Sequence, residues 1–408
     1  MSTTSLPAGW RTARLGFLVE THVPQRDKPD PLDGPIPWVR IEDFEGQEIR
    51  SSKSGQGVTS EQVSGMNLRV LSPGTVLCSC SCSMGATAIV REPLVSNQTF
   101  IGLTPGPEVE SRFLYYLMYA MGDRLQAMAT GAIQQYLSRD DFRSLRVPLP
   151  PLWEQCQIAD FLDGEVGRLN VIVRSQERLY ELLDERIGSQ VLNVIGRSEL
   201  GNPGAGERLV AMRRLLGKVV RPPADTREVV TAFRDGQVTA RSLRRAEGYT
   251  QSVSNEPQGQ WVAVDDVVVH GLDGFAGAIG ASEADGNCSP VYHVMTPEGD
   301  GDPLYYGRLL RILALQGYLT GFSYSTRERA FDFRNWDMFG RIPLPVTDAD
   351  EQRRIGDQIR KIRPLRTKLD QFGERIAERR RVLITAAVTG QFDVSTASGR
   401  NVTEGITV

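Results

Sequence analysis

Histidine is almost missing from this sequence: there are three, His22, His270 and His293, among 408 residues. The five cysteines form no Cys-x-x-Cys pair, and Cys78, Cys80 and Cys82 alternate with serine as residues on one face of a β-strand would. Zinc sites need thiolate or imidazole ligands at characteristic spacings, so no metal site is expected, and the thiols read as free structural residues in a reducing compartment. Long apolar runs are lacking too, and the opening Met1-Ser2-Thr3-Thr4 has neither the basic nor the apolar part of a secretion signal. Both absences point to the cytoplasm and away from a membrane. A large charge of either sign is absent: the net charge is −3, which argues against a protein that coats nucleic acid indiscriminately. Lysine supplies only five of the 47 basic side chains, leaving 42 arginines. Arginine's planar fork binds phosphates and guanine edges in a bidentate way that lysine cannot match, although arginine-favouring codon usage produces the same bias.

What is present is a repeat. Hydrophobic content of 40% and charged content of 24% are ordinary for a soluble globular chain, and 408 residues suit two to three domains. Pro148-Leu149-Pro150-Pro151-Leu152-Trp153-Glu154-Gln155 opens a long amphipathic stretch, and Pro343-Leu344-Pro345, followed by Glu351-Gln352, opens another. An isoleucine follows each Glu-Gln pair at the same distance, Ile158 and Ile355. A domain-sized segment rich in strand and turn signals precedes each copy.

The boundaries follow from this alternation. Residues 1–147 form a first domain, 148–196 a long helix, 197–206 a linker, 207–342 a second domain, 343–390 a second long helix, and 391–408 a flexible tail. In the first domain, strand signals lie at 38–41 and 70–71, 75–90 reads as a hairpin, and 111–121 has helical spacing. The polar stretch 129–138 reads as an exposed loop. In the second domain, 229–239 reads as two strands around a turn at 234–236, and 267–280 as a buried strand running into a glycine-rich hairpin. The segment 304–316 resembles the helix at 111–121. The glycines of the linker are followed by no Lys-Ser/Thr and preceded by no strand, which excludes a phosphate-binding loop.

The long helices carry heptad seams. Leu162, Leu169 and Leu183 fall at steps of seven with Gln176, and Ile172 and Leu179 lie three residues after Leu169 and Gln176. In the second, Ile355, Ile362, Leu369, Ile376 and Leu383 recur at sevens, and Pro364 predicts a kink or break. Some 40 helical residues span roughly 60 Å, more than any single core, so each helix must pack along something equally long. Because the linker is short, the second helix can bury its seam only by returning along the first. The expected architecture is α+β: two β-rich domains with small helices, separated by an antiparallel coiled coil and related by a pseudo-two-fold axis. Such an arrangement suits duplex DNA carrying two short target sequences on either side of an unread spacer.

The Pro-Leu-Pro-Pro-Leu-x-Glu-Gln-x-x-Ile-Ala opening at 148–159, its copy at 343–355 and the ending Leu383-Ile384-Thr385-Ala386-Ala387-Val388-Thr389-Gly390 resemble the specificity subunit of type I restriction-modification systems. The resemblance covers nearly the whole chain, with Trp153, Cys156, the insertion 346–350 and Pro364 as departures. It implies a non-catalytic subunit that reads a bipartite target in double-stranded DNA. It also implies two methyltransferase subunits as partners, using S-adenosylmethionine, and two restriction subunits in a full phage-defence complex. No cofactor is implied for this chain. The sequence holds no Asn/Asp-Pro-Pro-Tyr motif, no Walker A motif and no carboxylate two residues before any lysine, as a methyltransferase, ATPase or PD-ExK nuclease would need.

Arginine and glutamine are the natural bidentate readers of guanine and adenine. The candidate DNA contacts are Gln134, Gln135, Tyr136, Arg40 and Ser83 in the first domain, and Arg234, Gln237, Arg241, Arg327, Arg329 and Arg334 in the second. Structural pairing competes at Arg329 and Arg334, which sit among Glu328, Asp332 and Asp337. His270 reads as a satisfied core histidine. Glu154, Gln155, Glu351 and Gln352 are candidate partner contacts, with helix termination the stronger reading. The competing function is a coiled-coil assembly protein whose β-rich domains bind protein.

Overall fold

In the computed structural model, residues 6–23, 27–81, 84–129, 136–196, 208–226, 228–244, 259–322 and 333–396 are described. They belong to two compact units, one made of Met1–Arg174 with Phe372–Val408 and the other of Ser175–Gln371. Each unit therefore takes one β-rich domain and part of both long helices. At the level of packing, the ends of the long helices complete the domain cores.

In the first unit, β1 (Arg11–Arg14) pairs antiparallel with β6 (Arg146–Leu149) and brings the two ends of the domain together. Between them lie β2 (Val19–His22), β3 (Val76–Ser79), β4 (Thr87–Val90), β5 (Phe100–Pro105) and helix α1 (Ser111–Ala120). The sheet order is β2-β5-β3-β4, extended past β4 by the short strand Glu48–Ile49. Val76 faces Ile89 on one side and Leu103 on the other. Strands β3 and β4 are buried on both faces, so they lack apolar/polar alternation. The period of two survives in the packing: Val76, Cys78 and Cys80 join the core under α1, while Leu77 joins Val39, Ile49 and Phe100 beneath the other face. Burial pushes the Cys78 thiol up to about 12.

The second unit repeats this plan. Strand β7 (Leu209–Ala211) pairs antiparallel with β14 (Pro343–Pro345), as β1 does with β6. Between them come β8 (Leu216–Lys218), the hairpin β9 (Val230–Ala232) and β10 (Val238–Ala240), then β11 (Val267–His270), β12 (Ile279–Ala281), β13 (Tyr292–Pro297) and helix α3 (Pro303–Leu315). The sheet order β8-β13-β11-β12 matches β2-β5-β3-β4 strand for strand, with Val267 between Met295 and Ala281 as Val76 lies between Leu103 and Ile89. Adjacent tyrosines on the two helices, Tyr115-Tyr116 and Tyr305-Tyr306, cross edge-on at 71° in both units.

Helix α2 (Leu152–Val194) runs unbroken for 43 residues, and α4 (Ala349–Val388) for 40. In the first unit, Ile158 and Leu162 share a core with Leu383, Ile384, Ala387 and Val388, and Asn170 further along α2 meets Arg380 further back on α4. In the second, Tyr180 meets Arg366, while Ile187 and Val191 share a core with Ile355. The helices are antiparallel within each unit.

The seam differs from expectation in its second register. Leu162, Leu169, Ile355 and Leu383 are buried, and Leu183, Ile362, Leu369 and Ile376 are half-buried. Ile172 and Leu179, by contrast, are exposed by 44% and 59%. The inward positions that accompany the sevens lie four residues on, not three: Val166, Val173, Tyr180 and Ile187 on α2, and Ile359, Arg366, Arg380 and Ala387 on α4. Arginine and tyrosine fill the middle of the seam, so apolar spacing alone selects the wrong face. Pro364 neither breaks α4 nor ends it. It sits on the exposed face, where water can satisfy the carbonyl its missing N–H leaves unpaired. Past Gly390, Phe392 packs with its ring tilted 36° against Phe161 at 5.6 Å, and Val394–Thr396 form a turn of 3-10 helix.

Candidate nucleic-acid interface

The second unit supplies the better-defined surface. The β9–β10 hairpin places Arg234 and Gln237 in its turn, while Arg241 lies past the far end of β10, where its backbone N–H donates to the Val229 carbonyl at 2.7 Å. Gly236 takes φ of 87°, a left-handed conformation that favours glycine, and donates to the Phe233 carbonyl at 2.9 Å. Arg234 is the outermost, 70% exposed at its side chain and paired with Asp273 at 2.9 Å. Gln237 donates to Glu283 at 2.9 Å, and its buried amide oxygen has no partner among the described residues. Arg241 donates to Thr231 at 3.3 Å.

Arg334 is exposed and lies against Gly271, just past β11, so the loop 271–276 separates it from Arg234's partner Asp273 by only a few residues. His270 is a turn-stabilising residue: its Nδ1 accepts from the amides of Leu272 at 3.2 Å and Asp273 at 2.9 Å. Burial lowers its pKa, with Asp273 opposing, which agrees with a neutral ring. Arg327 and Arg329 lie outside the described residues.

In the first unit, Tyr136 is 43% exposed and bridges Ser81 in antiparallel fashion, so the strand end 80–81 and the segment 136–137 lie side by side. Gln134, Gln135 and Ser83 fall outside the described residues. Arg40 precedes a short 3-10 turn, pairs with Glu42 at 2.8 Å and has a buried Nε with no partner among the described residues.

The Glu-Gln pairs at the helix starts do different work from what their positions suggested. Gln155 is fully buried. Its amide oxygen accepts from the Glu110 backbone at 2.8 Å, and its nitrogen donates to the carbonyls of Glu108 and Pro150 at 2.9 Å each. Gln352, also buried, accepts from the Asp302 backbone at 3.2 Å and donates to the Thr347 carbonyl at 3.0 Å. Glu110 and Asp302 are the N-caps of α1 and α3. The two glutamines are therefore interior ties from each long helix to the cap of each small one, and neither has a polar atom to offer a partner. Glu154 accepts from the Trp10 indole at 2.8 Å, and Glu351 is a first-turn carboxylate paired with Arg354 at 2.7 Å. Sequence reasoning also missed Asp235, Arg244 and Arg366, which hold the hairpin turn; their signal, opposite charges far apart in sequence, is invisible without the fold.

No group of ligating side chains that could hold a metal is found among the described residues, and none of their helices is long and apolar enough to cross a membrane.

Residues 7–169 match the type I restriction modification DNA specificity domain. The type I restriction enzyme MjaIX specificity subunit of Methanocaldococcus jannaschii is 25% identical over 186 residues, 44% of this chain and 42% of that protein, so the chain spans less than half the length of that curated relative. Among solved structures, a chain from work on the assembly and conformational transition of the type I restriction-modification system covers 95% of this chain and 100% of its own, with a TM-score of 0.58 at 16% identity, and shows the same fold. The type I restriction-modification S subunit from M. genitalium covers 95% and 98%, with a TM-score of 0.46 at 15% identity. Residues 7–169 are thus similar to a type I restriction modification DNA specificity domain.

Proposed function

We propose that the chain reads a two-part sequence in double-stranded DNA, one part through each unit, and holds the methyltransferase subunits that modify it. The observation that carries this reading is the duplication: two units share a sheet order and a buried glutamine tie, and the first of them matches a DNA specificity domain. In the second unit, the reading surface is the β9–β10 hairpin, with Arg234 and Gln237 at its turn and Arg241 past the end of β10, together with Arg334. In the first, it includes the region around Tyr136, with Gln134, Gln135, Ser83 and Arg40 as further candidates from the sequence.

The chain catalyses nothing itself under this reading. S-adenosylmethionine and the chemistry of adenine methylation belong to two modification subunits, which must flip the base out of the duplex, and two restriction subunits join in a full complex. The complex works in the cytoplasm, where the DNA is. Exposed apolar side chains on α2, including Trp153 at 64%, suit the docking of a partner protein.

A salt titration of DNA binding, with the modification subunits present, tests the reading. Sequence-selective affinity that falls steeply with salt supports it. Binding that lacks both selectivity and salt dependence leaves a protein-assembly role instead.

A further inference from the structure

The turn that carries Arg234 and Gln237 is held by charged ties to a helix more than a hundred residues away in sequence. Asp235 lies between two guanidinium groups, Arg244 at 2.9 Å and Arg366 of α4 at 3.0 Å. Its other oxygen accepts from the Gln237 backbone at 3.2 Å, inside the turn. Arg244 lies over the Phe233 ring at 4.3 Å, and Arg366 over the Tyr180 ring of α2 at 5.5 Å. A second tie runs in parallel: the Gln237 side chain donates to Glu283, and Glu283 faces Arg363 of α4 at 3.7 Å. Gly236 rests on the Arg311 side chain so closely that a Cβ there would collide with it. Behind the turn is a cavity of about 80 Å³, lined among others by Tyr180, Arg311, Arg363 and Arg366. The turn is thus closely packed on Arg311 on one side and tied to α4 by ion pairs on the other, where the cavity leaves space for it to shift once a tie is cut.

We propose that Arg366, acting through Asp235, and Arg363, acting through Glu283, are positioning residues that set which bases the second unit accepts. This rests on the DNA-reading role proposed above. Base readout requires bidentate partners to meet base edges within a few tenths of an ångström, so a turn free to move loses selectivity before it loses its phosphate attraction. The consequence is that the distal helix does more than hold the two units: it shapes the reading hairpin of one of them.

The test uses the full chain assembled with its modification subunits and duplexes randomised in both target halves. Base preference is read for wild type, Arg366→Gln, Arg366→Lys, Asp235→Asn and the double variant Arg366→Gln/Asp235→Asn. Expected for Arg366→Gln is a loss of preference of roughly tenfold at one or two positions of the second half, with the first half unchanged. Arg366→Lys keeps most of the preference. The double variant is no worse than either single change, because both cut one tie. Amide exchange at Phe233 and Gly236 should quicken in the same variants and slow again in Arg366→Lys.

Unchanged preference in Arg366→Gln overturns the proposal, as does equal weakening of both halves, which would mark a purely structural role. If Arg366→Gln fails to fold, Asp235→Asn decides in the same way. A wild-type complex without preference in its second half would instead overturn the DNA-reading role itself, and exchange at the turn would then report only the mechanical tie.

Discussion

Gln155 and Gln352 occupy a chemical position that no apolar residue can fill. Each receives the backbone N–H of a helix N-cap residue and returns a proton to the carbonyl of the residue five earlier. An unpaired buried amide costs about 1 to 3 kcal/mol, so Gln155→Leu, which strands one N–H and two carbonyls, should lower stability by roughly 2 to 4 kcal/mol in urea unfolding. Gln352→Leu should cost a similar amount. If either costs no more than a surface change, its ties are replaced by water and the glutamine is not structural. The three histidines offer a second residue-level test, because burial lowers the pKa of all three. His293 is the most enclosed, stacked 5.3 Å from Phe339 with Nε2 against the Phe333 carbonyl. A lowered folded-state pKa means that the unfolded chain binds the proton first. Stability is thus unaffected by this group above about pH 6.5 and falls as the pH drops below it. His293→Phe should reduce stability at pH 7.5 yet shrink the further loss between pH 7.5 and 5.5 by up to about 1 kcal/mol, as read from urea midpoints.

Elements were legible in proportion to how far apolar spacing alone decides their packing. The hairpins at 75–90 and 229–239, the helices at 111–121 and 304–316, and the lengths of α2 and α4 follow from local pattern and stand as expected. The second register of the helix seam was not legible. Val171, Ile172, Leu179 and Leu182 look like seam residues and face outward, whereas Arg366 and Arg380 look solvated and face inward. Both arginines meet partners from other elements, Arg366 with Asp235 and Tyr180, Arg380 with Asn170 and Tyr119. A heptad count cannot foresee such pairs. The two registers predict opposite results. Leu162→Ala should cost about 2 to 5 kcal/mol, as for a buried leucine, and Ile172→Ala and Leu179→Ala less than about 0.5 kcal/mol each. Large losses at Ile172 and Leu179 in the isolated chain would restore the three-residue register. If those two substitutions leave stability alone but weaken association with the modification subunits, the outward apolar residues of α2 are a docking face.

At the scale of the molecule, the duplication predicts separable reading and a measurable spacer. Exchanging residues 1–147 for the corresponding domain of a relative should replace one half of the recognised sequence and leave the other; a change in both halves, or in neither, refutes one reader per unit. The helices supply the sharper experiment. Seven residues amount to two helical turns and about 10.5 Å, close to three base-pair steps of B-DNA. Removing seven from α2 around Ser175 and seven from α4 around Phe372, where the chain passes from one compact unit to the other, preserves the heptad phase of both seams. Each unit keeps its own core, since Ile158, Leu162, Leu383 and Val388 lie far to one side of the cut and Ile187, Val191 and Ile355 far to the other. The bases read in each half should therefore persist while the unread interval shortens by about three pairs. Removing four residues from each helix instead breaks the heptad phase, offsetting the seams by roughly 40 to 50°, and should cost more stability than the seven-residue deletion. An unchanged interval after the seven-residue deletion, in a complex that still methylates DNA, would mean that partner subunits and not these helices set the distance between the half-sites.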